Sequence, residues 1–176
     1  MTLTPVLETE RLVLRAHRIE DLDAFAEMWT HPEVARFTSG QPLSREDAWR
    51  RLVGHRGMWS LMGFGYFAIE EKASGAFVGS AGVQECRRAI TPSLEGTMEA
   101  GWILAPQAHG KGYAREAMEA VLAWCGEAHP GRAVTCIINE ENTPSQKLAT
   151  RLGFRERAQT HYKDRPTTVY AYGDGA

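Results

Sequence analysis

One short stretch, Gln107-Ala108-His109-Gly110-Lys111-Gly112-Tyr113-Ala114, lies between an apolar segment and the clearest amphipathic helix pattern in the sequence. Its two glycines, one residue apart, come directly before that helix. The first turn of a helix has backbone N–H groups without intrahelical partners, and the helix dipole favours negative charge there. The stretch therefore predicts a turn that binds phosphate oxygens through its backbone.

The segments around this turn predict a strand–turn–helix–strand unit. Met98–Leu104 is predicted to be a strand, and Gly101 within it indicates a bulge or a close backbone approach. Residues 134–138 form a nearly continuous apolar run, which is typical of a strand buried on both faces. Such a crossover predicts that the two strands are parallel. The helical stripe between them consists of Ala114, Ala117, Met118, Val121, Leu122 and Cys125.

The rest of the chain predicts further strands and helices. The element order predicts a mixed α/β (α+β) fold with a mixed, mostly antiparallel sheet of about seven strands and about four helices, in one domain over residues 1–176. The further strands are predicted at residues 11–15, 66–69, 77–83, 154–159 and 167–172, and the further helices at residues 19–29, 44–61 and 143–152.

Capping residues give the expected helix boundaries. Ser44, with an acid three residues later, is predicted to cap the second helix. Thr143 is predicted to cap the last helix, with Pro144 in its first position and Gly153 at its end. The first helix is expected to end at His31-Pro32. Inward-facing residues are predicted to include Leu12 and Leu14 in the first strand and, in the second helix, Ala48, Leu52, Val53 and Trp59.

Composition restricts the classes of function. The chain has 176 residues, 43% hydrophobic and 24% charged, with a formal net charge of −2. This charge gives no reason to expect nucleic acid or an anionic membrane as a partner. No apolar run is long enough to span a bilayer, so a cytoplasmic location is expected. Cys86, Cys125 and Cys136 lack metal-ligand spacing and are expected to be reduced thiols. No metal site is predicted.

Two other phosphate-binding turns do not fit. A P-loop needs a hydroxyl residue after its lysine, but Gly112 follows Lys111. A dinucleotide-binding fingerprint needs a third glycine, but Arg115 stands at that position. The pattern [QR]-x-x-G-x-[GA] fits residues 107–112 at every specified position.

In this turn and in the segments on either side of it, the chain resembles the GCN5-related N-acetyltransferases (GNAT family), particularly the subfamily that acetylates ribosomal-protein N-termini. The resemblance implies that the turn binds the pyrophosphate of acetyl-coenzyme A, the co-substrate, and that the preceding strand binds its pantetheine arm. The residues implied in binding are Trp102, Ile103, Leu104, Gln107, Ala108, His109, Gly110, Lys111, Gly112, Tyr113, Ala114, Asn142 and Ser145. The segments that carry the resemblance are residues 7–15, 29–34, 99–104, 107–117 and 139–154.

The resemblance also implies catalytic roles. Glu99 is predicted to be the general base, because the acceptor amine is largely protonated near neutral pH. The alternatives are an ordinary carboxylate paired with an arginine, or a water chain that takes the proton. Ser145 is predicted to protonate the leaving thiolate, since this helix lacks the tyrosine of many family members. An ordinary serine in a first helical turn is the alternative. Asn142 is a helix-entry residue, a pantetheine ligand, or both.

The expected reaction is direct transfer of an acetyl group from acetyl-coenzyme A to a primary amine in a ternary complex. A backbone N–H near Trp102 to Leu104 is expected to stabilise the oxyanion. The acceptor, a peptide N-terminus or a small amine, is expected between the two N-terminal helices, residues 36–39 and the C-terminal strands near Tyr162 and Tyr170. The alternatives are a non-catalytic acyl-coenzyme A sensor or scaffold and a transferase of a longer acyl group. Monomer and homodimer both remain open.

Overall fold

The computed structural model describes residues 4–173. Within these residues the chain forms eight β-strands, five α-helices and two 3-10 helices, Ile19–Asp21 and Pro106–Ala108. The strands are β1 (Leu7–Glu8), β2 (Leu12–Arg15), β3 (Tyr66–Glu71), β4 (Phe77–Gln84), β5 (Met98–Leu104), β6 (Val134–Asn139), β7 (Phe154–Tyr162) and β8 (Arg165–Tyr172). The helices are α1 (Leu22–Thr30), α2 (Pro32–Phe37), α3 (Arg45–Met62), α4 (Tyr113–Ala128) and α5 (Thr143–Leu152).

The strands form one sheet with the order β1-β2-β3-β4-β5-β6-β8-β7. β1 to β4 pair antiparallel in sequence order, and β8 pairs antiparallel with both β6 and β7. β5 and β6 are parallel, as the crossover pattern predicted, through the pairs Met98↔Val134 and Glu99↔Thr135. The predicted mixed, mostly antiparallel fold is confirmed. The elements beyond the expected number are the two-residue β1 and the helix α2.

The chain divides into two compact units. The N-terminal unit contains residues 1–82 and 102–122, and the C-terminal unit contains residues 83–101 and 123–176. A single domain over residues 1–176 stays a prediction. No helix within residues 4–173 has the length and hydropathy needed to cross a membrane.

The core of the N-terminal unit is built from apolar residues of β2, α1 and α3. Leu12 and Leu14 are fully buried, so the predicted inward face of the first strand is confirmed. Val53 was predicted to face inward with its neighbour Leu52, but it is 47% exposed. Successive residues of a helix point about 100° apart, so Val53 lies off the buried stripe. A main cluster of this core contains Phe25, Ala26, Met28, Trp29, Val34, Ala48, Leu52 and Ala105.

The helix boundaries in the N-terminal unit follow their capping residues. Ser44 caps α3 as predicted, and its Oγ accepts a hydrogen bond from Asp47 N at 3.1 Å. α1 ends before Pro32, but the sequence analysis missed the helix that starts there. His31 caps α2 by accepting from Glu33 N, and Pro32 occupies the first helical position, where its missing N–H costs nothing.

In the C-terminal unit the cap of α5 differs from the prediction by one residue. Asn142, not Thr143, is the cap, and its Oδ1 accepts a hydrogen bond from Ser145 N at 3.2 Å. An asparagine is a better cap than a threonine, which explains the shift. Pro144 is therefore in the second helical position, not the first, and Ser145 is in the third. Gly153 ends the helix with a φ of 95°, as predicted.

The last two strands form a longer hairpin than the sequence analysis predicted. β7 extends to Tyr162 and β8 begins at Arg165. The two residues between them, Lys163 and Asp164, both have positive φ, 50° and 60°. Two successive residues with positive φ are typical of the tight turns that match the twist of a hairpin.

Candidate functional site

The glycine turn in the N-terminal unit has the geometry of an anion-binding loop. Gly110 and Gly112 have φ of 73° and 80°, a region that favours glycine, and α4 begins directly afterwards at Tyr113. No acceptor within residues 4–173 receives the backbone N–H groups of Gly110, Lys111, Gly112 and Tyr113. Successive free N–H groups of this kind, at the positive end of a helix dipole, form a cradle for phosphate oxygens.

The strand before the turn is held at close range by its neighbour. A Cβ added at Gly79 would lie 2.5 Å from the carbonyl oxygen of Ile103 and 2.9 Å from Leu104 Cα. Gly79 thus provides a close backbone approach in this region. The sequence analysis had offered such an approach as one interpretation of Gly101. It did not consider Gly79, although a glycine inside a strand is the usual sign of a close backbone approach.

His109 connects the turn to the end of that strand. Its Nε2 lies 2.9 Å from the carbonyl oxygen of Leu104. The neighbouring Ala108 is only 1% exposed, so the first half of the turn is anchored by burial. The turn therefore has a fixed base, while its glycine half extends to the surface.

One carboxylate of the N-terminal unit contacts the turn, and a second one pairs with an arginine that contacts it. The hydroxyl of Tyr113 donates to Glu71 Oε1 at 2.5 Å, and Lys111 Nζ lies 3.8 Å from the same oxygen. Hydrogen bonds from Ser74 and Tyr113 lower the pKa of Glu71, and the bond to Glu71 raises the pKa of Tyr113. Glu116 of α4 pairs with Arg11 at 2.6 Å. The sequence analysis missed these contacts, because their partners are far apart along the chain.

Glu99 lies in the C-terminal unit, 6% exposed, and is bound by an arginine. Arg88 Nε donates to both carboxylate oxygens at 2.9 and 2.8 Å, and Arg88 Nη2 donates to Oε1 at 2.7 Å. The guanidinium also lies 4.8 Å from the ring centroid of Tyr162. The structure thus has the arginine pairing that the sequence analysis gave as one alternative. Arg88 was not foreseen, although a buried acid on a strand calls for a cationic partner.

This pairing keeps the guanidinium of Arg88 charged. Burial alone would lower the pKa of Arg88, but the hydrogen bonds and the charge of Glu99 raise it above its usual range. The nearby Cys86 behaves in the opposite way, since burial and the negative charge of Glu99 raise the pKa of its thiol to about 12. Cys86 is therefore a neutral thiol at neutral pH and a poor nucleophile. All three cysteines are free, as predicted.

The start of α5 brings Asn142 and Ser145 together. The side-chain oxygen of Asn142 accepts from the backbone N–H of Ser145, so Asn142 is a helix-entry residue. Ser145 is half-buried in the first turn of the helix. The adjacent Gln146 donates from Nε2 to the carbonyl oxygens of Asn139 and Glu140 at 3.4 and 2.8 Å. These bonds fix the loop between β6 and α5.

The predicted site residues are thus distributed over the two units. The turn and the end of β5, residues 102–114, belong to the N-terminal unit, while Glu99, Asn142 and Ser145 belong to the C-terminal unit. Within residues 4–173 no group of three or more His, Cys, Asp or Glu side chains is arranged to hold a metal ion.

Comparison with known proteins gives consistent matches. Residues 11–155 match the model of the acetyltransferase (GNAT) domain. The chain is 28% identical over 151 residues to the uncharacterized N-acetyltransferase p20 of Bacillus licheniformis, covering 85% of this chain and 82% of that protein. Among solved structures, it is similar to a Bordetella pertussis protein assigned to the GnaT-family acetyltransferases, with a TM-score of 0.85, 32% identity and coverage of 96% of this chain and 99% of that one.

A more distant structure shares the fold alone. It is the ribosomal L7/L12 alpha-N-protein acetyltransferase RimL in complex with coenzyme A, with a TM-score of 0.76 and 14% identity. The similarity covers 95% of this chain and 97% of that one.

Proposed function

This chain belongs to the GNAT acetyltransferase family, and we propose that it transfers an acetyl group from acetyl-coenzyme A to a primary amine. The observation that carries the proposal is the run of unpaired backbone N–H groups at the turn of residues 110–113, at the start of α4. The diphosphate of the coenzyme supplies the anionic oxygens that such a turn binds. The coenzyme A complex of the structural neighbour RimL supports the same donor.

The pantetheine arm is proposed to extend along the end of β5. The parallel pairing of β5 with β6 ends at Glu99↔Thr135, so Ala100 and Gly101 follow it without a partner in that register. Amide groups of a ligand can form strand-like hydrogen bonds with the side of a strand that the neighbouring strand no longer covers. We assign Trp102, Ile103 and Leu104 to this contact, and a backbone N–H near them to the oxyanion of the tetrahedral intermediate.

The chemistry consists of one bond exchange. The amine nitrogen attacks the thioester carbonyl carbon, the C–N bond forms, and the C–S bond breaks with the electron pair going to sulfur. Glu99 accepts the proton that the attacking amine loses. The hydroxyl of Ser145 donates a proton to the departing thiolate and takes one back from solvent, so that coenzyme A leaves as the free thiol. Because Arg88 already binds both oxygens of Glu99, this role requires the carboxylate to accept a further hydrogen bond on a remaining lone pair.

The acceptor class follows from the base. An acceptor amine is largely protonated near neutral pH and must lose a proton before it can attack, which is the step that a general base serves. Glu99 lies within the C-terminal unit together with Tyr162, whose ring faces the Arg88 guanidinium. Peptide N-termini and small primary amines both fit this class.

The test is a thiol-release assay on the purified chain. Free coenzyme A is measured from acetyl- and succinyl-coenzyme A across a panel of small amines and N-terminal peptides. Release from acetyl-coenzyme A that depends on an amine is the expected result. Faster release from the succinyl donor would indicate a longer acyl group. Binding of acetyl-coenzyme A without thiol release from any pair would instead indicate a non-catalytic sensor.

A further inference from the structure

We propose that Arg11 is a positioning residue for the coenzyme-binding turn and that Glu116 holds Arg11 in place. Arg11 lies outside the turn, directly before β2, yet its side chain reaches the turn's backbone. The inference rests on the proposed function, because it takes the turn to bind the coenzyme diphosphate. It adds a residue of the N-terminal segment to the parts of the chain that determine affinity for the donor.

The guanidinium of Arg11 contacts three successive residues of the turn. Its Nη1 donates to the carbonyl oxygen of Lys111 at 2.9 Å. A Cβ added at Gly112 would lie 3.5 Å from Arg11 Nη2, and the guanidinium carbon lies 4.7 Å from the ring centroid of Tyr113. Arg11 therefore lies against the backbone that contains the unpaired N–H groups.

The contact with Lys111 has a consequence for the donor groups. The carbonyl oxygen of Lys111 and the N–H of Gly112 belong to one planar peptide unit and point in opposite directions. A hydrogen bond that fixes the carbonyl therefore fixes the direction of the Gly112 N–H on the other side. Because glycine backbone is permissive, this peptide would otherwise sample several orientations at an entropic cost on binding. Arg11 removes part of that freedom before the ligand arrives.

Glu116 is the residue that immobilises Arg11. Its carboxylate accepts from Arg11 Nε at 2.7 Å and from the Arg11 backbone N–H at 2.8 Å, and it pairs with Arg11 Nη2 at 2.6 Å. The hydroxyl of Thr9 donates to it at 2.6 Å. Burial alone would raise the pKa of Glu116, but these hydrogen bonds lower it, so the carboxylate is ionised at neutral pH. A side chain held by two directional bonds keeps a single geometry.

A second ion pair on the same helix provides the contrast. Arg115 pairs with Glu119 at 2.7 Å one turn further along α4, with side chains 57% and 54% exposed. Exposed ion pairs of this kind contribute little to the stability of a protein. In the Arg11–Glu116 pair the carboxylate is only 18% exposed, and the arginine has a backbone acceptor in the turn. The two pairs differ in burial and in the hydrogen bond to the turn, so Arg115→Ala is the control for the loss of an exposed arginine–glutamate pair of α4.

The experiment compares two donors. Arg11→Ala, Arg11→Lys, Glu116→Gln and the control Arg115→Ala are assayed with acetyl-coenzyme A and with S-acetylpantetheine, which has the thioester but no diphosphate. We expect the Kd and KM for acetyl-coenzyme A to rise about tenfold in Arg11→Ala and somewhat less in Glu116→Gln, with kcat unchanged. The KM for S-acetylpantetheine should not change, and Arg115→Ala should match the wild type in both assays.

Three outcomes would overturn the role of Arg11. They are an unchanged Kd in Arg11→Ala, an equal loss for both donors, and full rescue by Arg11→Lys. The second would indicate a general structural effect, and the third a long-range charge effect, because lysine lacks the fork that reaches both Glu116 and Lys111. A wild-type chain that does not bind acetyl-coenzyme A would contradict the proposed function itself, whereas binding with unaffected variants contradicts only this inference.

Discussion

Polar groups are unpaired at the glycine turn of the N-terminal unit but paired around Glu99 in the C-terminal unit. At the turn, four successive backbone N–H groups have no acceptor within the described part of the chain. At Glu99, both oxygens of a carboxylate that is 6% exposed are bound by Arg88. The first region is open to an anion, and the second already contains its own cation.

The difference follows from the cost of leaving a group unpaired. An exposed backbone N–H can bind water, so a surface turn can keep its donors free at little cost. A buried carboxylate without a partner would lose several kcal/mol of solvation, so the fold supplies one. We therefore expect the turn to control binding of the donor and the Glu99 pair to control the chemical step.

The largest effect is expected at the turn itself. Gly112→Glu would force a residue with a side chain into a φ of 80° and place a negative charge among the N–H groups proposed to bind phosphate. The affinity for acetyl-coenzyme A should fall by about a thousandfold, or ~4 kcal/mol. Isothermal titration calorimetry measures this loss. Gly126→Ala is the control, since it lies in α4 with open space around its Cβ position. Wild-type affinity in Gly112→Glu would show that the phosphate site lies elsewhere.

Next in size is the effect of removing the charge of Glu99. If this carboxylate is the base, Glu99→Gln should lower kcat by about 10² to 10³ and leave the affinity for acetyl-coenzyme A unchanged. Glu85→Gln is the matched control, because the side chains of Glu85 and Glu99 are both 8% exposed. Glu85 is likewise paired with an arginine, Arg132, at 3.0 Å. Equal loss of activity in both variants would assign Glu99 a structural role, and an unchanged kcat would favour a water chain as base.

A buried histidine, His17, gives a third case, because it is held in its uncharged form and has no ion-pair partner among residues 4–173. His17 is 3% exposed, its Nε2 lies 2.9 Å from Ser80 Oγ, and burial lowers its pKa to about 4. Its folded pKa is below the unfolded value of about 6.5, so the unfolded chain binds the proton more readily. Stability should be constant above pH ~6.5 and should decrease as the pH falls toward 4, by about 3 kcal/mol from this group.

Urea unfolding between pH 7.5 and 4.5, followed by tryptophan fluorescence, measures this dependence. The neighbouring His55, whose pKa burial also lowers, adds to the same slope. His17→Gln should flatten the curve, whereas His161→Gln, at an exposed position, should retain it. A free energy of unfolding that does not change over this range would contradict the burial of a neutral His17.

The smallest effect is expected at Ser145. Ser145→Ala removes the hydroxyl proposed to protonate the thiolate, and a thiolate is a stable enough leaving group that water can replace it. We expect kcat to fall by about tenfold or less, with an unchanged Kd for acetyl-coenzyme A. Thr150→Ala, on the exposed side of the same helix, serves as control. If both variants retain full activity, the hydroxyl of Ser145 has no role in proton transfer.

The elements that sequence patterns predicted well depend on neighbours along the chain. The strand at Met98–Leu104 was predicted with its observed bounds, and the stripe of α4 is buried at Ala117, Met118 and Val121. Periodicity and glycine positions fix such elements because backbone hydrogen bonding and burial repeat every few residues. The predicted cap of α5 was wrong by one residue. Thr143 is a competent cap, but Asn142, directly before it, is a better one and caps the helix.

The sequence by itself determined the glycine turn, the helix that follows it and the parallel strand pair around them, because each is specified by local spacing. Only the tertiary structure decided which side chains meet there. Arg11 and Glu116 are 105 positions apart, and Tyr113 and Glu71 are 42 apart. Arg88 reaches Glu99 across a loop. Such pairs depend on which elements pack side by side, and the local periodicity of the sequence does not predict which elements become neighbours. The turn was therefore evident in the sequence, whereas the residues that hold it became evident only in the fold.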